Sequence, residues 1–413
     1  MGDVVSTTDQ AIPAPPAADL PVLKVEQLDA DPHGIFRHYR ITHPVVAHEL
    51  GGYIVLRHAD VDRLIKDPRA RATETAYPEM LGVTAGTLFD AFQYGMLTAN
   101  GEVHHNRRSP FSRTFSTRII AELRPRIRRC AEELIDSWYA DGRVEFVERF
   151  ATQLPARVIS DLLGLPREDI PSFTKLVYEV TRFVSLSITQ DEIPRSEAAS
   201  RQLQSYVEEL LDDRRRAPCD DFLSIFLMAS DEAAKLSPLE VIFQIVQLIV
   251  AGTDTTRVAI VMQVALLLQH REQWEAVCRD PGLVPAAVAE AMRFEPSVAS
   301  TSRIATEDIE VGGAVLPAGR MVLLSTMSSM RDGRAYERPD VFDISRTNQP
   351  RLHPVFGGGA HRCLGEALAR AELEESLAVL AARIPQLRLD KAPAIKGHSG
   401  IRRVDSMHLS WRM

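Results

Sequence analysis

Cys363 is the residue whose setting most invites chemistry. It lies near the end of the run Phe356-Gly357-Gly358-Gly359-Ala360-His361-Arg362-Cys363-Leu364-Gly365. Three consecutive glycines let backbone pass close to something flat and bulky. Residues Leu364 to Ala382 read as a helix, which places Cys363 at a helix N-terminus. Free amide groups and the helix dipole favour an anion there, and they lower a thiol pKa. A thiolate held by amide hydrogen bonds makes a strong iron ligand. Glycine-rich turns before helices also bind phosphate, but this one lacks a Lys-Ser/Thr ending, and no acidic residue is placed to bind a ribose. Cys130, Cys219 and Cys278 form no CxxC or CxxH pair with any partner, which argues against a zinc site. They read as small buried hydrophobes.

A second cluster is Ala251-Gly252-Thr253-Asp254-Thr255-Thr256. A mid-helix Gly costs roughly 1 kcal/mol against Ala. A Thr hydroxyl can bond the carbonyl one turn back and bend the helix. A buried Asp is costly without partners or a task. Ala251 and Thr255 lie four apart and Gly252 and Thr255 three apart, so these residues share a face and could open a groove edged by a hydroxyl. The plainer reading is a packing notch where another helix crosses, with Asp254 paired to a base.

The elements that must carry these residues can be traced. Ser237-Pro238-Leu239-Glu240 is a capping box with proline at the first helical position. Helical patterning then runs to about His270, or roughly 50 Å at about 1.5 Å per residue. Apolar residues on nearly all its sides mark it as buried. Residues 44–50 and 53–57 flank Gly51-Gly52 as a hairpin, and Asp60 to Lys66 reads as a short helix. A second β-prone region spans 303–326, and residues 395–412 could form a last hairpin. The fold expected is mainly α with small β-sheets, in one domain over 23–413. Residues 1–22, rich in Pro and Ala, read as a flexible tail.

Bulk properties limit the partners. Of 413 residues 45% are hydrophobic, enough for a large core, and the net charge is -8. An acidic balance argues against nucleic acid. No basic region precedes an apolar run at the N-terminus, and no stretch reaches the roughly 20 uninterrupted apolar residues of a membrane span. Four scattered cysteines suit a reducing compartment. A cytoplasmic protein, monomeric and without a membrane span, is the expectation.

The cysteine loop resembles the haem-binding signature of cytochromes P450, F-x-x-G-x-x-x-C-x-G, with Phe356, Gly359, Cys363 and Gly365 in place. The stretch 251–256 is similar to that family's oxygen-activation motif, [AG]-G-x-[DE]-T-[TS]. The resemblance covers about residues 30–412 and implies the P450 fold, with the long helix crossing above haem b. It implies Cys363 as axial iron ligand, with Phe356 beside the sulfur and His361 on a haem propionate. Asp254 and Thr255 would relay protons to dioxygen, and Ala251 and Gly252 would leave room above the iron. Glu290 and Arg293 resemble the family's Glu-x-x-Arg pair, with Arg346 as third member of a structural clamp. His104 and Arg108 resemble propionate-binding residues, with His105 as an alternative to His104, and Arg303 resembles another.

By the same resemblance the substrate pocket draws on Tyr94 to Thr98 (Leu97 included), Phe183 to Leu186, Val250, Val298 to Thr301 (Ser300 included) and Ile401. The activity implied is monooxygenation of a small to medium hydrophobic molecule by dioxygen. Electrons would come from a soluble ferredoxin and an NAD(P)H-dependent reductase, since neither is fused to the chain. Arg107, Arg113 and Arg362 are candidates for a basic face toward an acidic ferredoxin. A haem-thiolate peroxygenase and a non-enzymatic haem-thiolate sensor are the alternatives. Asp254-Thr255 argues against the first, because fatty-acid peroxygenases of the family commonly carry Arg-Pro there. A sensor would have no need of a proton relay. One stretch departs from many bacterial relatives: where they have Asn-Arg-Asp-Pro, this chain has Met330-Arg331-Asp332-Gly333.

Overall fold

A computed structural model describes residues 20–115, 117–184, 188–347 and 354–412, without the side chains of 112–114, 117–119 and 121. The tail expected over 1–22 lies outside the described residues up to residue 19. Its last residue is already structured, because Val22–Leu23 is a strand paired in parallel with Val45–His48.

Helix Pro238–Gln269 is the axis of the molecule. Both halves of its capping box form: the Ser237 amide donates to Glu240 Oε2 (2.8 Å), and the Glu240 amide donates to Ser237 Oγ (3.3 Å). Such a cap contributes about 1 kcal/mol. Helices Gln153–Leu163, Ile170–Val184, Val284–Phe294 and Glu366–Arg383 all pack on this one. By length and hydropathy it could cross a membrane, contrary to the sequence expectation. However, 72% of its most apolar window is buried inside the protein, so its apolar surface is spent on the core.

A six-stranded sheet lies to one side, in the order Val22–Leu23, Val45–His48, Tyr53–Val55, Met321–Ser325, Ser300–Ala305, Ala70–Arg71. The expected first hairpin pairs Val45 with Val55 and Ala47 with Tyr53. Gly52 makes its turn possible twice over: its φ is +81°, and a Cβ there would meet the Met321 carbonyl oxygen at 2.5 Å. The second β-prone region supplies strands Ser300–Ala305 and Met321–Ser325 of that sheet, and hairpin Ile309–Val311 with Ala314–Leu316. Near the C-terminus, Ile395–Lys396 pairs with Arg403–Val404, while His408–Ser410 joins Arg388–Leu389 and Arg143–Glu145. The short helix expected over 60–66 is found at His58–Leu64.

Glu290, Arg293 and Arg346 meet in the interior. Arg293 Nε and Nη2 both reach Glu290 oxygens at 2.7 Å, and Arg346 Nε lies 3.2 Å from Glu290 Oε2. Glu290 and Arg293 are fully buried. Arg293 also donates to the carbonyls of Met330, Pro339 and Val341, and Glu290 accepts the Asp343 amide. The cluster therefore stitches the irregular chain over 330–346 to helix Val284–Phe294. Breaking a buried pair from one side costs about 3–5 kcal/mol. Arg331, in the stretch that departs from bacterial relatives, is buried too and pairs with Glu295 at 2.7 Å.

Candidate active site

The cysteine loop is shaped by its own backbone. The Cys363 amide donates to the Phe356 carbonyl (2.7 Å), and Gly357 and Gly359 take φ values of +70° and +58°. At Gly358 a Cβ would meet Ile65 Cγ2 at 2.7 Å, so this glycine serves close packing. Helix Glu366–Arg383 starts two residues later than expected, with Gly365 as its N-cap. Cys363 thus precedes the helix instead of opening it. Its side chain is accessible in a loop otherwise walled by protein. Burial pushes the thiol up from its ordinary value, against the pull of the Gly365 amide and of Arg108 and Arg362. The expectation that the helix start alone makes a thiolate is therefore corrected. Coordination to a metal is what deprotonates a thiol placed like this.

A cationic cradle adjoins the loop. His104, on helix Gly101–Thr114, turns inward and is buried, whereas His105 is exposed. The rings of His104 and His361 lie 4.2 Å apart. Arg108, one turn along, donates to the Arg362 carbonyl (2.6 Å). Arg303 is buried on strand Ser300–Ala305, and burial lowers its pKa to about 10. His361 is lowered to about 3, first by burial and then by His104, Arg303 and Arg108, which shows that the four groups share one field. Among the described residues no carboxylate pairs with any of them, and His104 Nε2 is buried without a partner. The lowered pKa values leave His104 and His361 as neutral rings, while the Arg108 and Arg303 guanidiniums have no carboxylate partner among the described residues and need anions. A flat group carrying two carboxylates, ligated by Cys363, satisfies this donor set, so the residues fit haem. Phe356, buried beside the cysteine, has the Arg370 guanidinium 5.0 Å from its ring.

Along the mostly buried middle of helix Pro238–Gln269, Ala251, Gly252, Thr255, Arg257 and Ala259 remain partly accessible, and Ala251, Thr255 and Ala259 among them fall at four-residue spacing as a stripe. Thr255 Oγ1 donates to the Ala251 carbonyl (2.8 Å), the back-bond expected of a mid-helix Thr. Asp254 is buried and ion-paired to Arg257 at 2.7 Å. Sequence reasoning allowed a base for Asp254 but did not find it, although the spacing of three on one helix signalled it. At Gly252 a Cβ would meet Ile159 Cδ1 at 2.5 Å, so its missing side chain also admits helix Gln153–Leu163.

The expected pocket residues divide. Val298 and Ile401 form an isolated antiparallel bridge, and the Gly400 amide donates to Ser300 Oγ (3.4 Å). Val250 lies one residue before Ala251 and is buried. Tyr94 stacks on Phe243 with centroids 6.2 Å apart. Leu97 is half-exposed. Phe183 is fully buried in an aromatic trio with Tyr77 and Phe92 (centroids 5.6 and 5.7 Å), a satellite core that leaves it no face for a ligand. Residues 185–187 lie outside the described residues. Arg107 is also corrected: it is buried against Glu240 (2.9 Å) and the Gly95 carbonyl, so it belongs to no surface patch. The Arg113 side chain is outside the described ones. Arg362 is partly exposed but paired with Glu366. Of the cysteines taken as buried filler, Cys130 is buried, Cys278 half-buried and Cys219 exposed.

An accessible cysteine beside guanidiniums that lack a carboxylate partner is the donor set of a haem-thiolate protein. The family model for cytochrome P450 matches residues 82–280 and 282–381. The plant-inducible cytochrome P450-pinF1 of Rhizobium radiobacter is 44% identical, covering 94% of this chain and 92% of its own. Nocardicin C N-oxygenase of Nocardia uniformis subsp. tsuyamanensis is 38% identical over 83% and 84%. The crystal structure of epothilone D-bound cytochrome P450epoK superposes with a TM-score of 0.85 at 29% identity, covering 94% of this chain and 97% of that one. The chain belongs to the cytochrome P450 family, and it is a haem-thiolate monooxygenase.

Proposed function

We propose that this enzyme inserts one atom of dioxygen into a small to medium hydrophobic organic molecule. Electrons come from an external soluble ferredoxin and its NAD(P)H-dependent reductase, and the enzyme works as a cytoplasmic monomer. The observation that carries the reading is the acid–alcohol pair: Thr255 stands on the accessible stripe of a buried helix, with Asp254 beside it. Haem, when bound, would supply dioxygen activation, with the Cys363 sulfur holding its iron. His104, Arg108, Arg303 and His361 orient the group through its carboxylates. Dioxygen reduced by two electrons needs two protons to lose one oxygen as water. Thr255 Oγ1 holds a proton directed at the Ala251 carbonyl, and Asp254, held by Arg257, is the adjoining carboxylate that would take up a proton and pass it on. Supply through a buried pair delivers protons without flooding the pocket.

The substrate class rests on the pocket residues that the family resemblance implies, which have few polar handles. Tyr94, Leu97, Val250, Val298 and Ile401 are apolar or aromatic, and Ser300 offers one hydroxyl. Relatives support the class: mycinamicin IV hydroxylase/epoxidase of Micromonospora griseorubida is 34% identical over 82% of the chain. Epothilone C/D epoxidase of Sorangium cellulosum is 30% identical over 92%. The test is turnover with NAD(P)H, ferredoxin and reductase, on molecules found by their Soret shift. Product should form with this system and not with hydrogen peroxide alone. Turnover with peroxide alone at an equal rate would overturn the reading.

A further inference from the structure

The central helix holds the segment between Ala91 and Leu97 by its backbone. Gln247 Nε2 donates to the Ala91 carbonyl (2.9 Å), and Gln247 Oε1 accepts the Leu97 amide (3.1 Å). One carboxamide thus closes both ends of the segment. One turn earlier, Gln244 Nε2 donates to the Tyr94 carbonyl (2.8 Å). Arg107 Nη1 donates to the Gly95 carbonyl (2.9 Å), with its Nε on Glu240 of the same long helix (2.9 Å). Helix Thr87–Tyr94 ends here, and its last carbonyls have no partner within the helix. The two glutamines supply partners for Ala91 and Tyr94, Arg107 for the cap residue Gly95, and Thr98 Oγ1 for Phe92 (2.6 Å).

Gly95 is the matching half of the device. A Cβ there would lie 1.8 Å from Gln247 Nε2 and 2.5 Å from the Ala91 carbonyl oxygen. Its φ of -79° is open to any residue, so the requirement is for space. Gln247 is buried, and Gln247, Ala251 and Thr255 follow each other at four-residue spacing on one face. The helix that presents Thr255 therefore also sets, two turns away, the position of the segment carrying Tyr94 and Leu97.

We propose that Gln247 is a specificity-determining positioning residue, which fixes the Tyr94–Leu97 wall at a set height over Ala251 and Thr255. It acts through the segment and touches no ligand itself. The inference rests on Tyr94 and Leu97 belonging to the substrate pocket.

Two probes of the holoenzyme separate the wall from the haem: imidazole, and 4-phenylimidazole, whose added ring occupies more of the substrate pocket. Their affinities are read from the Soret shift, alongside deuterium exchange at the Leu97 amide. In Gln247→Ala, 4-phenylimidazole should weaken about tenfold relative to imidazole, since a preorganised wall is lost. Leu97 should exchange about tenfold faster or more. Gly95→Ala displaces the same carboxamide from the other side and should give both changes, with little added in the double variant. Gln247→Glu keeps an acceptor for Leu97 but no donor for Ala91, and should fall between. Unchanged Leu97 exchange would refute the grip. Faster exchange with an unchanged affinity ratio would show that the segment is held but is no pocket wall, which removes the pocket assignment and the proposal with it. Equal weakening of both probes is the mark of general loosening and also overturns it.

Discussion

Arg257 holds Asp254 from one turn further along the same helix, Nη2 to Oδ1 at 2.7 Å, with both side chains nearly out of solvent. The guanidinium also lies 4.5 Å from the centre of the Tyr178 ring and reaches the Val404 carbonyl at 3.4 Å. A buried charge left alone costs about 3–5 kcal/mol, more than the pair contributes when intact. Arg257→Ala should therefore lower stability by about 3 kcal/mol, and Arg257→Lys should recover part of the loss. The double variant Arg257→Ala with Asp254→Asn should be more stable than Arg257→Ala alone. Urea midpoints of the set decide it, and additive losses would show that the two residues do not interact.

Thr255→Ala should leave the helix folded, because it removes a back-bond that bends the helix and no backbone partner. It should disturb oxygen use: product formed per dioxygen consumed falls by about tenfold or more, the scale of a lost acid–base group. Asp254→Asn should do the same. Measurement of dioxygen, NAD(P)H and product together checks both, and normal ratios would remove the pair from the proton route.

Cys363→His should abolish the red-shifted Soret band that a thiolate ligand gives the reduced carbon monoxide form. The backbone contacts of the loop do not involve the sulfur, since the Cys363 amide bonds the Phe356 carbonyl whatever the side chain. The cradle of His104, Arg108, Arg303 and His361 does not involve the sulfur, so haem content should be read separately from the spectrum.

Two histidines make stability depend on pH. His48 Nε2 and His398 Nε2 lie 3.2 Å apart, His48 Nδ1 accepts the Leu50 amide (3.2 Å), and His398 Nδ1 lies 3.2 Å from Asp29 Oδ1. This fixes the neutral tautomers: His48 donates from Nε2, and His398 accepts there and donates from Nδ1 to Asp29. A further proton on either ring finds no acceptor. Burial, then His398, holds His48 down to about 4 against the nearby Glu49; burial also lowers His398 against Asp29 and Glu49. Unfolded, both titrate near 6.5. Below that pH the unfolded chain binds protons that the folded chain excludes, so stability falls as pH falls, from about 6.5 down to about 4. His48 alone accounts for about 2 kcal/mol between pH 7 and pH 5. His48→Gln should flatten the dependence of the urea midpoint on pH in this window. An unchanged slope would reject the assignment.

Glu290→Gln should cost about 3–5 kcal/mol, because Arg293 and Arg346 lose their shared carboxylate in a fully buried place. Thermal unfolding monitored with haem release should show the chain over 330–346 loosening first, by faster amide exchange at Asp343, whose N–H bonds Glu290 Oε1.

Much of this was legible because the signals were local. The cap at Ser237 and Glu240, the glycines before Cys363 and the hairpin at Gly51-Gly52 each lie within a few residues and have one cheap conformation. His104 and His105 could not be separated in sequence, since only packing against His361 turns one of them inward. Arg107 looked like surface charge because its partner Glu240 is 133 residues away. Phe183 looked available to a ligand until Tyr77 and Phe92 closed on it. The thiol of Cys363 was expected to ionise at a helix start, but the helix begins two residues later and desolvation outweighs the pull of a single amide.

Gly252 and Ile159 settle an angle. A helix buried all round has no wet side to tell it which way to face, and a slip of one residue turns it by about 100°. At Gly252 the neighbouring helix comes so near that a methyl would stand 2.5 Å from Ile159 Cδ1. Turned by one residue, the helix would drive Ala251 or Thr253 into that space. The contact works as a key in a slot, so the rotation at which the helix presents Asp254 and Thr255 is set by a fit less than one turn back along the shaft.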